Sequence, residues 1–328
     1  EADDQTDAES QPRRRERSHT DSILAVDIGN VNTRAVLFDV VNGQFRFVGG
    51  AFAASTLTPP YFDASEGAQT AMEQLTAHTG RRFMSDDDST VISPAEPNGR
   101  GVDVFVATAS GGPPLRAGGG GLMPDVSLSS ARRITSTVYV DISDSYALND
   151  RRSQAEQIQS LIKQEPDLVV LAGGTEGGAN AAVMRLAETL ALASYMMPDG
   201  HKPQILYVGN SQIREQINDI FDGIAPVFAA TNLRPNLESE VLDPGRRQLV
   251  QLYQSLRLQR VRGYGNLMRW AEGYIVPTVQ ALGQMLRFLS VQPRYTNGVL
   301  AVDIGSATTD VVAAYRGELS LSTYTDLG

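Results

Sequence analysis

The hexamer Leu-Ala-Val-Asp-Ile-Gly occurs twice in this chain, at 24–29 and again at 300–305. With its flanks, 23–36 reads ILAVDIGNVNTRAV and 299–312 reads VLAVDIGSATTDVV, so Thr33 matches Thr309 and Val36 matches Val312. A spacing of 276 residues is far too long for a solenoid repeat. The fold must therefore use one element twice, once near each end.

Each copy reads as a buried strand ending in a carboxylate (Asp27, Asp303), a glycine (Gly29, Gly305), a small polar loop and a second strand. Glycine lets the backbone turn sharply, so that successive amides can point at one anion. Asn30, Asn32 and Thr33 in one loop, and Ser306, Thr308 and Thr309 in the other, add side-chain donors without bulk. The pattern suggests phosphate binding, with Asp27 and Asp303 holding waters on a magnesium ion that bridges the phosphates. Neither a Walker nor a Rossmann glycine motif is present. A single D-I-G-x-x-x-T could be an ordinary hairpin with Asp or Thr capping its turn. Six identical residues with matching flanks favour a functional reading, because a turn has no need to be duplicated with its surroundings.

Composition narrows the chemistry. A formal net charge of −10 over 328 residues argues against nucleic acid as the main ligand. No apolar run is long enough for a transmembrane helix. There is no cysteine, which removes disulfides, thiolate nucleophiles and Cys-ligated clusters together. The three histidines (His19, His78, His201) are scattered. The expectation is a cytoplasmic protein working through carboxylates, hydroxyls and backbone amides.

Residues 1–21 are polar throughout, include the cluster Arg13-Arg14-Arg15-Glu16-Arg17, and read as a disordered tail. Strands are expected at 23–29, 34–41 and 45–52, the last two joined by the turn dipeptide Asn42-Gly43. A short helix at 68–77 and a strand at 102–107 follow. The glycine- and proline-rich stretch SGGPPLRAGGGG at 110–121 reads as loop. From 153 the pattern alternates: helices at 153–163, 179–195 and 212–221, strands at 168–171, 205–208 and 227–230, as in a parallel sheet with covered faces. Helices at 244–260 and 278–289 precede the strand beginning at Val299. The domain reading is a first half at 22–110, an α/β layer at 111–240, a helical segment at 241–298, and the start of a second half at 299–328.

Duplicated D-x-G-x-x-T hairpins opening two halves resemble the actin, heat-shock-chaperone and sugar-kinase ATPase superfamily. Within it the chain most resembles the accessory ATPase family of adenosylcobalamin-dependent glutamate mutase, called MutL or GlmL, which is unrelated to the mismatch-repair protein of similar name. The resemblance runs from about 22 to 321. It includes Ala107-Thr108-Ala109-Ser110-Gly111-Gly112, Gly121-Leu122-Met123-Pro124-Asp125, Ala131-Arg132-Arg133, the run from Pro166 to Asn180 (PDLVVLAGGTEGGAN), Tyr207-Val208-Gly209-Asn210, Thr231-Asn232-Leu233-Arg234-Pro235 and Ile304 to Val311. It implies a ribonuclease-H-like, actin-like ATPase domain with a Rossmann-like α/β insertion and the start of a second actin-like domain. It also implies ATP and Mg2+ as ligands and a cobalamin-dependent mutase subunit as partner, and leaves oligomerisation open. Ser306 stands where a second glycine is common, and the Pro-Pro and four glycines of 110–121 replace a more regular strand. The family continues past the second phosphate loop, so half of a nucleotide cleft plus the opening of the other half is expected.

The implied function is a chaperone-type reactivating ATPase. Alternatives are a filament-forming or scaffold ATPase and a small-molecule kinase, for which Asp103 or Asp141 would supply the catalytic carboxylate. The iron–sulfur activators of radical dehydratases are excluded by the lack of cysteine. The loop at 172–180 reads as a tight strand-to-helix connection, capped by Thr175 or Asn180, in preference to an anion site, since Glu176 would repel phosphate. Arg34 reads as a solvated strand residue, and Tyr264, Trp270 and Tyr274 as buried anchors in preference to a partner surface.

Overall fold

The computed structural model describes residues 21–147, 149, 151–178 and 180–325. The tail expected at 1–21 lies outside them except for Asp21, as does Ala179.

Three antiparallel strands open the fold: β1 (Ser22–Ile28), β2 (Asn32–Val41) and β3 (Gln44–Ala54). Asn42 and Gly43 both take positive φ, 54° and 74°, the backbone of a primed hairpin turn. Helix α1 (Ala64–Thr79) is longer at both ends than the 68–77 expected, because Asp63 caps its first turn by accepting from the Ser65 amide and Gly80 closes it in the left-handed region. Its Ala68, Ala71, Met72 and Leu75 pack on Leu24, Val26, Ile28 and Leu37. Strand β4 (Val104–Ala109), starting two residues later than expected, runs parallel beside β1.

The stretch expected to be loop at 110–121 contains β5 (Leu115–Gly121), a central strand. Composition misleads here because the glycines are needed for packing. A Cβ on Gly120 would sit 3.2 Å from Leu171 Cδ1 and from Leu190 Cδ1, and one on Gly118 3.3 Å from the Tyr146 ring. A short turn at 124–128 leads through α2 (Ser129–Thr135) to β6 (Val140–Ala147). The expected alternation then follows: α3 (Gln154–Gln164), β7 (Leu168–Ala172), α4 (Asn180–Met196), β8 (Gln204–Tyr207), α5 (Arg214–Phe221) and β9 (Val227–Ala229). A single short helical turn at Ser211–Ile213 replaces the first residues of the helix expected at 212.

The second sheet has the order β6-β5-β7-β8-β9 and is parallel throughout. Every residue of β7 is buried, as a strand covered on both faces requires. Val169 and Leu171 pack with α4 and α5, whereas Leu168 and Val170 pack with α2 and with α6 (Asp243–Arg260) through Leu249, Leu252 and Leu256.

The chain next returns to the first sheet. Helix α7 (Tyr264–Trp270) joins the first core, with Tyr264 and Trp270 buried as expected, while Tyr274 is exposed. Strand β10 (Ile275–Pro277) pairs parallel with β4, giving the order β10-β4-β1-β2-β3. Helix α8 (Thr278–Ser290) starts at its end. A last antiparallel sheet, β11 (Val299–Ile304), β12 (Thr309–Tyr315) and β13 (Glu318–Tyr324), rests on α8 through Val279, Leu286, Val312, Ala314 and Leu321. Among the described residues the fold is mixed α/β, with parallel pairing in two of the three sheets.

Candidate functional site

The two repeated sequences fold into the same hairpin. The Gly29 amide donates to the Asn32 carbonyl at 3.0 Å, and the Gly305 amide donates to the Thr308 carbonyl at 2.8 Å. Asp27 faces Arg34 across the first ladder, and Asp303 faces Asp310 across the second. Each carboxylate thus stands at the carboxyl end of the hairpin's first strand, next to the turn.

Asp27 is held from two sides. Its Oδ1 accepts from Thr108 Oγ1 at 2.6 Å and from Thr278 Oγ1 at 2.8 Å. Parallel pairing sets Thr108 of β4 beside Asp27, and the pairing of β10 with β4 delivers Thr278 to the same end. The amides of Ser110 and Gly111 donate to the Ile28 carbonyl, and the Gly112 amide donates to Asn30 Oδ1 at 2.7 Å, so the segment after β4 lies against the first turn. That approach requires glycine: a Cβ on Gly111 would fall 2.6 Å from the Gly29 carbonyl carbon.

The expected phosphate-loop residues differ in placement. Gly29, Asn30 and Asn32 are half-buried. Thr33 is buried, with its hydroxyl against Gly67 of α1. In the second hairpin Asp303, Gly305 and Ser306 are exposed, whereas Thr308 and Thr309 are buried. Thr308 nevertheless meets the first sheet: Ala109, Ser110, Pro277 and Thr278 line one small cavity with Thr308, Asp310 and Thr323. Burial pushes the Asp310 carboxyl above its ordinary range; the Thr323 hydroxyl opposes the shift and the Asp303 charge adds to it. Sequence reasoning missed Thr108, Ser110, Thr278 and Asp310. For Asp310 a signal existed, since aligned copies differ there, Arg34 against Asp310.

Other carboxylates have structural work. Asp103 Oδ2 accepts from the Asp21 and Ser22 amides and the Ser22 hydroxyl, at the end of β1 opposite Asp27. Asp141 is exposed near the start of β6. Ligands of parallel sheets gather at the carboxyl ends of the strands, so neither is placed as a kinase carboxylate would be. Glu176 accepts from Ser211 Oγ at 2.6 Å and Asn232 Nδ2 at 2.9 Å. Burial works to raise its pKa, but these hydrogen bonds prevail and hold it below the ordinary value. Thr175 and Asn180 tie the same connection: Gly178 N–H donates to the Thr175 carbonyl, and Asn210 Nδ2 donates to Asn180 Oδ1. The loop is a fastened strand-to-helix connection. Arg34 is exposed, as expected.

No helix among the described residues is long and apolar enough to cross a membrane. Among the same residues, no three His, Cys, Asp or Glu side chains gather as metal ligands.

Comparison with known proteins gives a family match described as MutL protein, over residues 23–325. Protein MutL of Clostridium tetanomorphum is 25% identical over 304 residues, covering 92% of this chain and 59% of that protein. The chain thus spans about three-fifths of that relative's length. Among solved structures, a diol dehydratase-reactivating factor in nucleotide-free form is similar at 9% identity and a TM-score of 0.32, covering 92% of this chain and 72% of that one. An Aquifex aeolicus Ppx/GppA phosphatase is similar at 9% identity and a TM-score of 0.21, covering 93% and 52%.

Proposed function

The chain belongs to the MutL protein family, and from that premise we propose that it is the nucleotide-handling part of an ATP-driven reactivating factor for a cobalamin-dependent mutase. In this reading, 22–110 and 299–328 open the two halves of an actin-like, ribonuclease-H-like ATPase. The segment 111–240 is the α/β layer inserted between them, and 241–298 returns the chain to the first sheet. Closure of the halves around ATP would convert hydrolysis into work on the partner.

The observation that carries the reading is the pair of hairpins with one turn geometry, each presenting a carboxylate beside a glycine amide. Asn30 and Asn32 on one side, and Ser306 and Thr308 on the other, would supply donors for phosphate oxygens, while Gly29 and Gly305 make the tight turns by donating to the Asn32 and Thr308 carbonyls. Thr33 and Thr309, both buried, stand opposite Ile28 and Ile304 at the start of each second strand.

Magnesium fits this donor set. Asp27 keeps Oδ2 clear of the two threonine hydroxyls on Oδ1, and Asp303 is exposed. Two separated hard-oxygen ligands suit an ion that keeps its waters and is shared with phosphates, and no protein cage is needed. The ion would neutralise phosphate charge. The hydroxyls of Thr108 and Thr278, both on Oδ1, fix the direction of the Asp27 carboxylate.

Calorimetry with Mg-ATP on the full-length protein tests the reading. Binding by the wild type, and its loss in both Asp27→Ala and Asp303→Ala, is the expected result; wild-type affinity in either variant overturns the site. Light scattering that rises above a threshold protein concentration with ATP would favour a filament.

A further inference from the structure

A cleft of about 750 Å3 lies between α6, α8 and the start of β13. That volume is in the range of small-molecule sites, about 300–1,000 Å3. It is separate from the hairpin loops. Gly317 and Glu318 border it, and they stand at the other end of β12 from the turn that holds Ser306. Tyr274 borders it just before β10, whereas Thr278 meets Asp27 just after that strand.

The walls follow from helical periodicity. Arg246, Arg247, Val250, Gln251 and Gln254 keep the three- and four-residue spacing of one face of α6, and Gln280, Gln284 and Arg287 keep it on α8. Gln254 donates to the Ile275 carbonyl and Gln280 to the Thr137 carbonyl, so both walls are fastened to their surroundings. Val250, Val276, Leu319 and Leu321 give the cleft apolar surface.

The charges on these walls are unevenly neutralised. Glu240 is held by Ser130, Arg133 and Arg234, and Asp243 pairs with Arg246. Arg247 and Arg287, one from each helix, make no ion pair or side-chain hydrogen bond among the described residues. Arg246 adds an Nε that is buried without a hydrogen-bond partner. Against them stands one further carboxylate in the lining, Glu318, which forms no ion pair among the described residues. A solvated arginine is ordinary on a surface. Two on opposite walls of one concave, partly apolar space, in a chain of net charge −10, form a place where an anion gains charge-assisted hydrogen bonds.

We propose that this cleft binds a small organic anion, its phosphate or carboxylate group held by Arg247 and Arg287 and its apolar part resting on Val250, Val276, Leu319 and Leu321. The site does not depend on the ATPase reading. An anion held by both helices would tie the second sheet, which packs on α6, to the third, which packs on α8.

Thermal-shift titration of the full-length protein tests the site with probes that share a phenyl ring: phenyl phosphate, phenylacetate and the neutral benzyl alcohol. At least one of the anions should raise the melting temperature, with a midpoint in the millimolar range that suits so small a ligand, and benzyl alcohol should not. A response to one anion alone names the head group that the cleft prefers. Arg247→Gln and Arg287→Gln should each weaken the midpoint about 10-fold. Both side chains are exposed, so these variants should melt like the wild type without ligand. Glu318→Gln should tighten binding by removing the opposing charge. No shift with either anion, an equal shift with benzyl alcohol, or a wild-type midpoint in either arginine variant overturns the site. Weaker binding in Glu318→Gln overturns it as well, since the carboxylate would then be a ligand-holding group.

Discussion

At the scale of single residues, the best-defined feature is the fixing of Asp27 by two threonines. A hydrogen bond to a charged group contributes about 1.5–3 kcal/mol, and Asp27 is only half-buried, so the lower end applies. Thr278→Val should lower unfolding stability by about 1.5 kcal/mol in denaturant titration, with Thr278→Ser close to wild type; a loss in Thr278→Ser with none in Thr278→Val would show that the methyl group matters and the hydroxyl does not. Asp27 itself was legible in the sequence because its motif is written twice. Thr278 was not, because it reaches Asp27 from 251 residues away through two parallel pairings that no local pattern records. Glu240 offers a pH test. It accepts from Ser130 Oγ and pairs with Arg133 and Arg234. Burial alone would raise its pKa, but the Ser130 and Arg133 hydrogen bonds outweigh that and lower it. A carboxyl lowered on folding contributes stability above its unfolded pKa of about 4.3, and the contribution disappears as pH falls through the folded value. Glu240→Gln should therefore flatten the acid limb of a stability-against-pH curve below about pH 4.3; an unchanged slope would assign that limb to other carboxylates.

At the scale of elements, boundaries follow caps, and caps are readable. Ser153 and Glu156 form a capping box at the start of α3, and the helix was expected from that serine. Strand β5 is the opposite case. Its glycines and the prolines before it carry every local sign of a loop, yet the strand is central because large side chains from its neighbours occupy the space above it. Gly120 shows the constraint. Adding a valine would press on Leu171 and Leu190, already 3.2 Å from a bare Cβ, and overpacking of this kind destabilises by about 1–3 kcal/mol. On β3, the exposed Gly50 has ordinary room, its nearest atoms 3.6 Å from a Cβ. Gly50→Ala should be neutral or stabilise by up to about 1 kcal/mol. Thermal unfolding of the two variants should move in different directions. A loss of the same size in both would mean that strand propensity, and not the space around β5, sets the outcome.

At the scale of the whole molecule, one sequence element meets two environments, and the sequence of the element cannot tell them apart. Leu24, Val26 and Ile28 are at most 2% exposed beneath α1, whereas their counterparts Leu300, Val302 and Ile304 are 69%, 54% and 75% exposed. Burial is decided by what packs on the strand: α1 covers the face of β1 that carries Val26, while α8 reaches only the other face of β11, through Val299 and Ala301. The same substitution at the two matching positions should therefore have unequal effects. Val26→Asp places an unpaired carboxylate inside the first core, where it is strongly destabilising. Against a total stability of about 5–15 kcal/mol, that is enough to unfold the sheet or to melt it many degrees early. Val302→Asp leaves its charge in water and should shift stability by no more than about 0.5 kcal/mol. Circular dichroism melting of both variants beside the wild type reads the contrast directly. If Val302→Asp were as damaging as Val26→Asp, the face of β11 that carries Leu300, Val302 and Ile304 would have to be covered in solution, and the two hairpins would be equivalent in packing as well as in sequence.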